Sequence, residues 1–336
     1  MTAPGRLDHL ERMSDERGLF EHAELTVPRL EHGYCVDDNA RLLVVTSRQP
    51  DEDSEIASRL TRLALAFVLG AQAADGRSRN RMDCSGRWTD AAGTDDCWGR
   101  AVWGLGSAAA HHTDPSVRGE AQDGFDRGVE QRSRWPRAMA FAALGAADVL
   151  AGDPGHRGAR ELVADTVDAI GTVPNGPWSW PEPRLRYANA TLAEAMIAAG
   201  TALDRPTVLE RGLTMLAWLL ELETTRGHLS VVGTNGRGPD DSGPQFDQQP
   251  IEVAAMADAC WRACRATGDH AWTRGVAAAA GWFNGDNDLG LQMFDDVSGG
   301  GFDGLHADRV NLNQGAESTL ALISTMQRAR SFAPAP

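Results

Sequence analysis

Six times along the chain a short polar stretch leads into an Ala-rich apolar run. The runs read GYCVDDNARLLVV from Gly33, TDDCWGRAVWGLGSAAA from Thr94 and RWPRAMAFAALGAADVLAG from Arg134. They continue as RYANATLAEAMIAAGTAL from Arg186, FDQQPIEVAAMADACWRAC from Phe246 and NLNQGAESTLALISTM from Asn311. Small and apolar residues recur at i, i+3, i+4 and i+7, which is helical spacing. Because the runs are apolar nearly all round, each predicts a helix buried on most sides. Their starts are expected near Asp37, Asp95, Trp135, Tyr187, Asp247 and Asn311.

Between them lie amphipathic stretches with one charged face: 52–73, 115–130, 156–170, 205–223 and 268–283, with a matching segment near 5–16. Six exposed helices therefore alternate with six buried ones, a repeat of about 50–60 residues. Buried-to-exposed connections are short and rich in turn residues, as in HTDP, AGDPGH and LDRP. Exposed-to-buried connections are mostly long, up to roughly 28 residues, and loops of that length in a compact domain are usually functional. An open solenoid would have more even repeats. The expectation is an all-α, (α/α)6 toroid occupying residues 1–336 as a single domain, with the long loops around one mouth and the ligand pocket there.

Composition narrows the chemistry. The net charge of −15 argues against nucleic acid or an anionic membrane surface as partner. No apolar run approaches the roughly 20 residues that cross a bilayer, and the polar N-terminal stretch lacks a signal-peptide core, so a cytoplasmic location is expected. All 32 basic residues are Arg. The absence of Lys excludes a lysine Schiff base and a Walker-type P-loop, and no glycine-rich dinucleotide fingerprint follows a strand-like run. No cofactor is expected. The five cysteines form no metal-binding spacing and are expected as buried free thiols. Asp286, Asp288, Asp295 and Asp296 lack the EF-hand pattern, so no metal is expected.

The long loops hold Trp, Asp, Asn, Gln and Arg, the side chains that stack on a sugar ring and fork its hydroxyls. Candidate catalytic acids are Asp37, Asp38, Asp95, Asp96, Glu182 and Asp247. In a ring of six, Asp37/Asp38 would face Glu182, and Asp95/Asp96 would face Asp247. One acid of Asp37/Asp38 is expected to cap its helix and the other to serve the substrate, braced by Arg41. Candidate substrate-binding residues are Tyr34, Asn39, Arg41, Trp88, Trp98, Arg100, Trp178, Trp180, Gln248, Gln249, Asp303, His306, Asn313, Gln314 and Glu317.

The segments LDHLERMSDERGLFEHA, GYCVDDNARLL, FDQQPIEVAAMADAC and GGGFDGLHADRVNLNQGAEST resemble a bacterial family of six-hairpin proteins. Its members are glycosidase-like and often occur beside or fused to glycosyltransferases. The resemblance spans nearly the whole chain and implies the (α/α)6 fold and a carbohydrate substrate. More loosely, the architecture is similar to glucoamylases, unsaturated glucuronyl hydrolases and N-acylglucosamine 2-epimerases. The expected activity is glycoside hydrolysis by paired carboxylates, with inversion favoured because opposed acids across a cavity leave room for water. The alternatives are a sugar epimerase or isomerase using His228 and His306, or a non-catalytic glycan-binding partner of a glycosyltransferase.

Overall fold

A computed structural model of the protein describes residues 6–48, 55–174 and 176–332. Among the described residues, twelve α-helices alternate between two rings. The inner ring is α2 (Val36–Ser47), α4 (Asp96–His111), α6 (Pro136–Gly152), α8 (Asn189–Ala202), α10 (Pro250–Thr267) and α12 (Ala316–Arg330). The outer set is α1 (Asp8–Arg12), α3 (Glu55–Ala71), α5 (Pro115–Gly128), α7 (Arg157–Ile170), α9 (Pro206–Leu222) and α11 (Thr273–Phe283). Each inner helix touches the next, and α12 touches α2, so the ring closes as a toroid.

The expected order of elements is the observed one. Inner starts fall within three residues of expectation except α12, which begins at Ala316 rather than near Asn311. Asn311 instead belongs to a two-residue ribbon, in which Gly304–Leu305 pairs with Val310–Asn311. The N-terminal outer helix is a single turn, shorter than the segment expected near 5–16. Residue 5 of that segment, residues 52–54 of the expected 52–73 helix and Pro50 lie outside the described residues.

Small side chains let the inner helices approach closely. A Cβ on Gly106 of α4 would stand 2.5 Å from the Gly145 carbonyl oxygen of α6. The Ala-rich runs are thus the packing surface of the ring, where a methylene too many forces a shift. The outer helices bury only one stripe, as Leu162, Val163, Thr166 and Val167 do in α7.

The long loops gather at the N-terminal ends of the inner helices and are latched to one another. Tyr34 and Cys35 pair with Met82 and Arg81, joining the first loop to the second. Leu185 bridges to Arg237, Gln248 bridges to Leu305, and the Gln314 amide donates to the Leu25 carbonyl. Side-chain contacts extend the rim: Gln131 Nε2 donates to the Asp75 carbonyl at 2.7 Å. Four of the five cysteines are buried, and Cys84 is exposed, contrary to expectation, on the turn between Asp83 and Arg87.

Candidate functional site

The first turns of α2, α4 and α12 aim a layer of alternating charges at the toroid axis. Arg41 donates to Asp38 Oδ1 at 2.6 Å and to Glu317 Oε2 at 2.7 Å. Arg100 stands 3.1 Å from Asp37 Oδ1 and 3.9 Å from Asp96 Oδ2, with its guanidinium over the Phe141 ring. Inner-helix N-termini converge here, and their partial positive charge favours carboxylates.

Neither acid of the Asp37/Asp38 pair is a cap. Residue 35 holds the N-cap position of α2 without a side-chain cap, and the Val36 amide donates to Asn80 Oδ1 from the second loop. Asn80 also donates to Asp37 Oδ2 at 3.2 Å. Asp38 is the more deeply buried, with its side chain 2% exposed against 17% for Asp37. Burial pushes the Asp38 carboxyl up to about 6, against the pull of Arg41. The expected brace between Arg41 and an acid of this pair is present, but it holds the buried acid.

Above this layer is a polar cavity of about 310 Å³. Asp37, Asp38, Arg41, Arg100, Asp303 and Glu317 line it, with His22, Gln249 and Ser318. Two of its carboxyls are tuned in opposite directions. Burial raises Asp303, and the nearby charge of Glu317 adds to it, although Ser318 and the Gly315 amide donate to Asp303 Oδ1. Neither of those bonds uses Oδ2. Burial also works against a charge on Glu317, but Arg41 and Arg100 outweigh it and hold that carboxyl below its ordinary value. Glu317 sits deep in the ring yet keeps a side chain 40% exposed to the cavity.

An aromatic ledge continues from this cavity across Arg100. Trp135 Nε1 donates to Asp95 Oδ1 at 2.9 Å, and the Tyr187 hydroxyl donates to Asp96 Oδ2 at 2.7 Å. Both rings are exposed, at 46% and 40%. Arg137 lies against Tyr187 and donates to Glu182 Oε1 at 2.6 Å. The sequence reading missed Tyr187 and Asn80; the one available signal for Tyr187 is an aromatic residue directly before an inner-helix start.

Several expected site residues hold loops instead. Trp98 is fully buried and donates to the Gly128 carbonyl. Trp180 is fully buried and stacks on Trp218. Trp178 is half-buried, meets Trp218 edge-on and donates to the Glu182 carbonyl, so the WSWP stretch anchors its loop rather than forming a wall. Trp88 is half-buried against Phe67. Tyr34 is buried, stacks on Phe20 and donates to Asp15. Asn39 is buried and clamps the Leu19 amide and the Cys35 carbonyl. Gln248 is buried between Trp282 and Asp288. Gln314 accepts from Ser298, and Asn313 accepts from the Leu25 amide. Buried polar groups inside these loops need partners, and loop backbone or neighbouring side chains supply most of them.

The expected oppositions across the ring are also revised. Neither Glu182 nor Asp247 is among the residues lining the 310 Å³ cavity. Asp247 is half exposed at the rim and contacts His306 Nδ1 at 2.5 Å. His228 is tied to Asp288 at 3.0 Å and does not line the cavity. Asp288 also accepts from Ser230 and Gln248, so that acid is engaged in loop packing.

Among the described residues, Glu21, Cys35 and Asp38 form a cluster whose ligand atoms lie within 4.8 Å of one another. The Cys35 thiol donates to Asp38 Oδ2, Arg81 pairs with Glu21, and burial raises the thiol well above its ordinary range. A metal would have to displace both partners and a proton.

Below the mouth the axis narrows to an apolar chamber of about 50 Å³, walled by residues such as Val44, Trp103, Phe141 and Leu320. A larger cavity of about 770 Å³ opens at the opposite, tight-turn end and includes Pro154 in its lining. The expectation of a ligand pocket at the mouth alone is therefore too narrow, because the toroid is concave at both ends. The carboxyls Asp303 and Glu317 both line the cavity at the mouth.

No known family pattern matches the chain, and no curated protein matches it. Solved structures do. A sugar epimerase from a ruminal bacterium aligns with TM-score 0.71 at 12% identity, covering 96% of this chain and 95% of that one. Cellobiose 2-epimerase from Bacillus thermoamylovorans aligns with TM-score 0.70 at 9% identity, again over 96% and 95%. The GH76 alpha-mannanase of Bacteroides thetaiotaomicron aligns with TM-score 0.60 at 10% identity, over 89% and 86%. At these identities the likeness is one of fold, and that fold is the (α/α)6 toroid.

Proposed function

We propose that this protein is a carbohydrate-active enzyme that hydrolyses a small glycoside in the mouth cavity. The observation that carries the reading is the pair Asp303 and Glu317, one carboxyl raised and the other lowered, on a single cavity. Glycosidic cleavage needs one protonated and one ionised carboxyl flanking the bond. Environments that push two such groups apart assign their roles. Asp303 is the general acid, donating a proton from Oδ2 to the leaving oxygen. Glu317 is the base that takes a proton from the attacking water. Asp37, Arg41 and Arg100 offer acceptors and donors to ring hydroxyls, and Trp135 with Tyr187 gives the next sugar unit a stacking face.

The volume of about 310 Å³ suits one sugar unit rather than a polymer segment. Aligned structures described as a cellulase and an alpha-mannanase lend support by analogy of fold only.

The experiment is incubation with a panel of disaccharides and aryl glycosides, followed by NMR of the products. Release of a reducing sugar, lost in Asp303→Asn and Glu317→Gln, is the expected result. Binding of sugars without any turnover would overturn an enzymatic reading.

A second reading is epimerisation or isomerisation of a free sugar. It is favoured by His22 on the cavity wall beside Asp303, and by aligned structures described as epimerases and a D-mannose isomerase. It predicts deuterium incorporation at a sugar carbon in D₂O without bond cleavage.

A further inference from the structure

The tight-turn end of the toroid carries an arginine cluster that its own carboxylates leave undercompensated. Arg48 caps the C-terminus of α2, Arg262 and Arg265 lie near the end of α10, and Arg328 lies in the last turn of α12. All four line the cavity of about 770 Å³, with Asp148 the acid on its wall. Two more acids stand behind that wall. Asp258 Oδ1 is shared by Arg48 at 3.0 Å and Arg328 at 2.5 Å, and Glu194 accepts from Arg262 at 2.8 Å. Asp148 is 3.4 Å from Arg262 and 3.5 Å from His111. Four guanidiniums thus meet three carboxylates, 4 − 3 = 1 positive charge in excess before His111 is counted, in a chain whose net charge is −15.

Helix dipoles favour a cation at each inner C-terminus, but they do not require three arginines to share one hollow with an exposed fourth. The crowding has a consequence on the cluster itself. Burial, together with the neighbouring Arg48 charge, pulls the Arg328 guanidinium down to about 10. The internal bonds use Arg48 Nη1, Arg262 Nε and Nη2, and Arg328 Nε. Nη2 of Arg48, Nη1 of Arg262 and the Nη pair of Arg328 take no part in these ion pairs. Arg328 also lies 3.7 Å over the ring of Trp261, which holds it flat against the wall.

We infer that this cavity binds a small organic phosphate, independently of the chemistry at the mouth. Guanidiniums from three helices approach the hollow from different directions. A tetrahedral dianion can accept from all of them, whereas a planar carboxylate satisfies one fork. The remaining volume, bounded by Trp261 and the alanine faces of α6 and α8, accommodates the organic part.

The test uses the full-length protein and inorganic phosphate, titrated at constant ionic strength with chloride as the balancing anion. Thermal midpoint and ³¹P line width are read together. The expected result is a saturable rise in the midpoint and ³¹P broadening, with affinity at least tenfold weaker in Arg265→Gln, whose side chain is exposed and makes none of the ion pairs above. Arg48→Gln, which leaves Asp258 with Arg328, should weaken it as well. A midpoint that follows ionic strength alone overturns the inference. So does loss of the phosphate effect in Arg41→Gln but not in Arg265→Gln, which would move the anion to the mouth.

Discussion

Arg41 and Glu317 stand 2.7 Å apart, although 276 residues separate them in sequence. Their contact joins the first inner helix to the last, and so closes the charged layer at the same seam where the ring closes. It also fixes the protonation state of Glu317. A cation at this distance keeps the carboxylate ionised in a place where burial alone would protonate it. The same guanidinium serves Asp38, so the two acids compete for one charge, and the buried one is the less fully compensated.

Substitution separates the roles of these acids. Glu317→Gln and Asp303→Asn should each lower turnover by about 10² to 10⁴-fold, the range for losing a general acid or base, Asp303→Asn with a nearly unchanged thermal midpoint and Glu317→Gln with a modest fall, because the ion pair with Arg41 is lost. Asp38→Asn should act mainly on stability rather than turnover, with its difference from the wild type moving in the variant's favour as pH rises through about 6. Paired measurement of kcat and thermal midpoint on the three variants checks this. Full activity in Glu317→Gln would remove it from the chemistry.

The pH profile follows from the directions of the two shifts. Glu317 must be ionised, so its lowered value places the acidic limb below the ordinary glutamate range. Asp303 must be protonated, so its raised value carries the alkaline limb above the ordinary aspartate range. The expected kcat/KM profile is a bell bounded by these two limbs. Asp303→Asn should remove the alkaline limb while leaving weak activity on substrates with good leaving groups.

How much of this was legible in the sequence differs between fold and site. The six Ala-rich runs predict the inner ring because burial on all sides leaves a periodic trace in every turn of a helix. Side-chain roles in the loops leave no such trace. Trp98 and Trp135 both sit at the mouths of inner helices, yet one is core and the other is exposed. What separates them is a carbonyl at Gly128 within reach of one indole, a contact no local pattern encodes. Glu182, expected opposite Asp37/Asp38, does not line the mouth cavity for a similar reason. Arg137 takes up Glu182 before it can reach the cavity. Asp303 and Glu317 both stand in the quoted sequence, but their pairing depends on a β-ribbon that returns the chain before α12.

Buried carboxyls make the fold sensitive to alkali. Burial raises Glu252 to about 7, despite its bonds from the Ala188 and Asn189 amides, and raises Asp38 to about 6. Each raised group contributes stability that is full below its unfolded value and lost as pH climbs through its folded one. For Glu252 that window runs from its ordinary 4.5 to about 7. Glu252→Gln should therefore gain on the wild type as pH rises from 5 to 8.5, by on the order of 3 kcal/mol at a shift of about 2.5 pK units. Urea midpoints of both proteins across that range measure it. A difference that stays constant with pH would show Glu252 to be ionised throughout.

The aromatic ledge predicts how long a substrate the site prefers. Trp135 and Tyr187 are oriented by hydrogen bonds to Asp95 and Asp96 and backed on one face by Arg134 and Arg137, so each ring is edge-fixed and offers its other face to a sugar. A ring held that way costs little side-chain entropy when a sugar stacks on it. The ledge lies beyond Arg100, outside the space that one sugar unit fills. Its contribution should therefore appear only with a second unit. Trp135→Ala is expected to raise KM for disaccharides by roughly 5- to 30-fold, from about 1–2 kcal/mol of stacking, with kcat within a factor of about two. On a methyl monoglycoside the same variant should behave as the wild type, because there is no second ring for the ledge to hold. Tyr187→Phe keeps the ring and loses the bond to Asp96, so it should fall between the two. Equal losses on short and long substrates would place Trp135 in the support of Asp95 rather than in a sugar subsite.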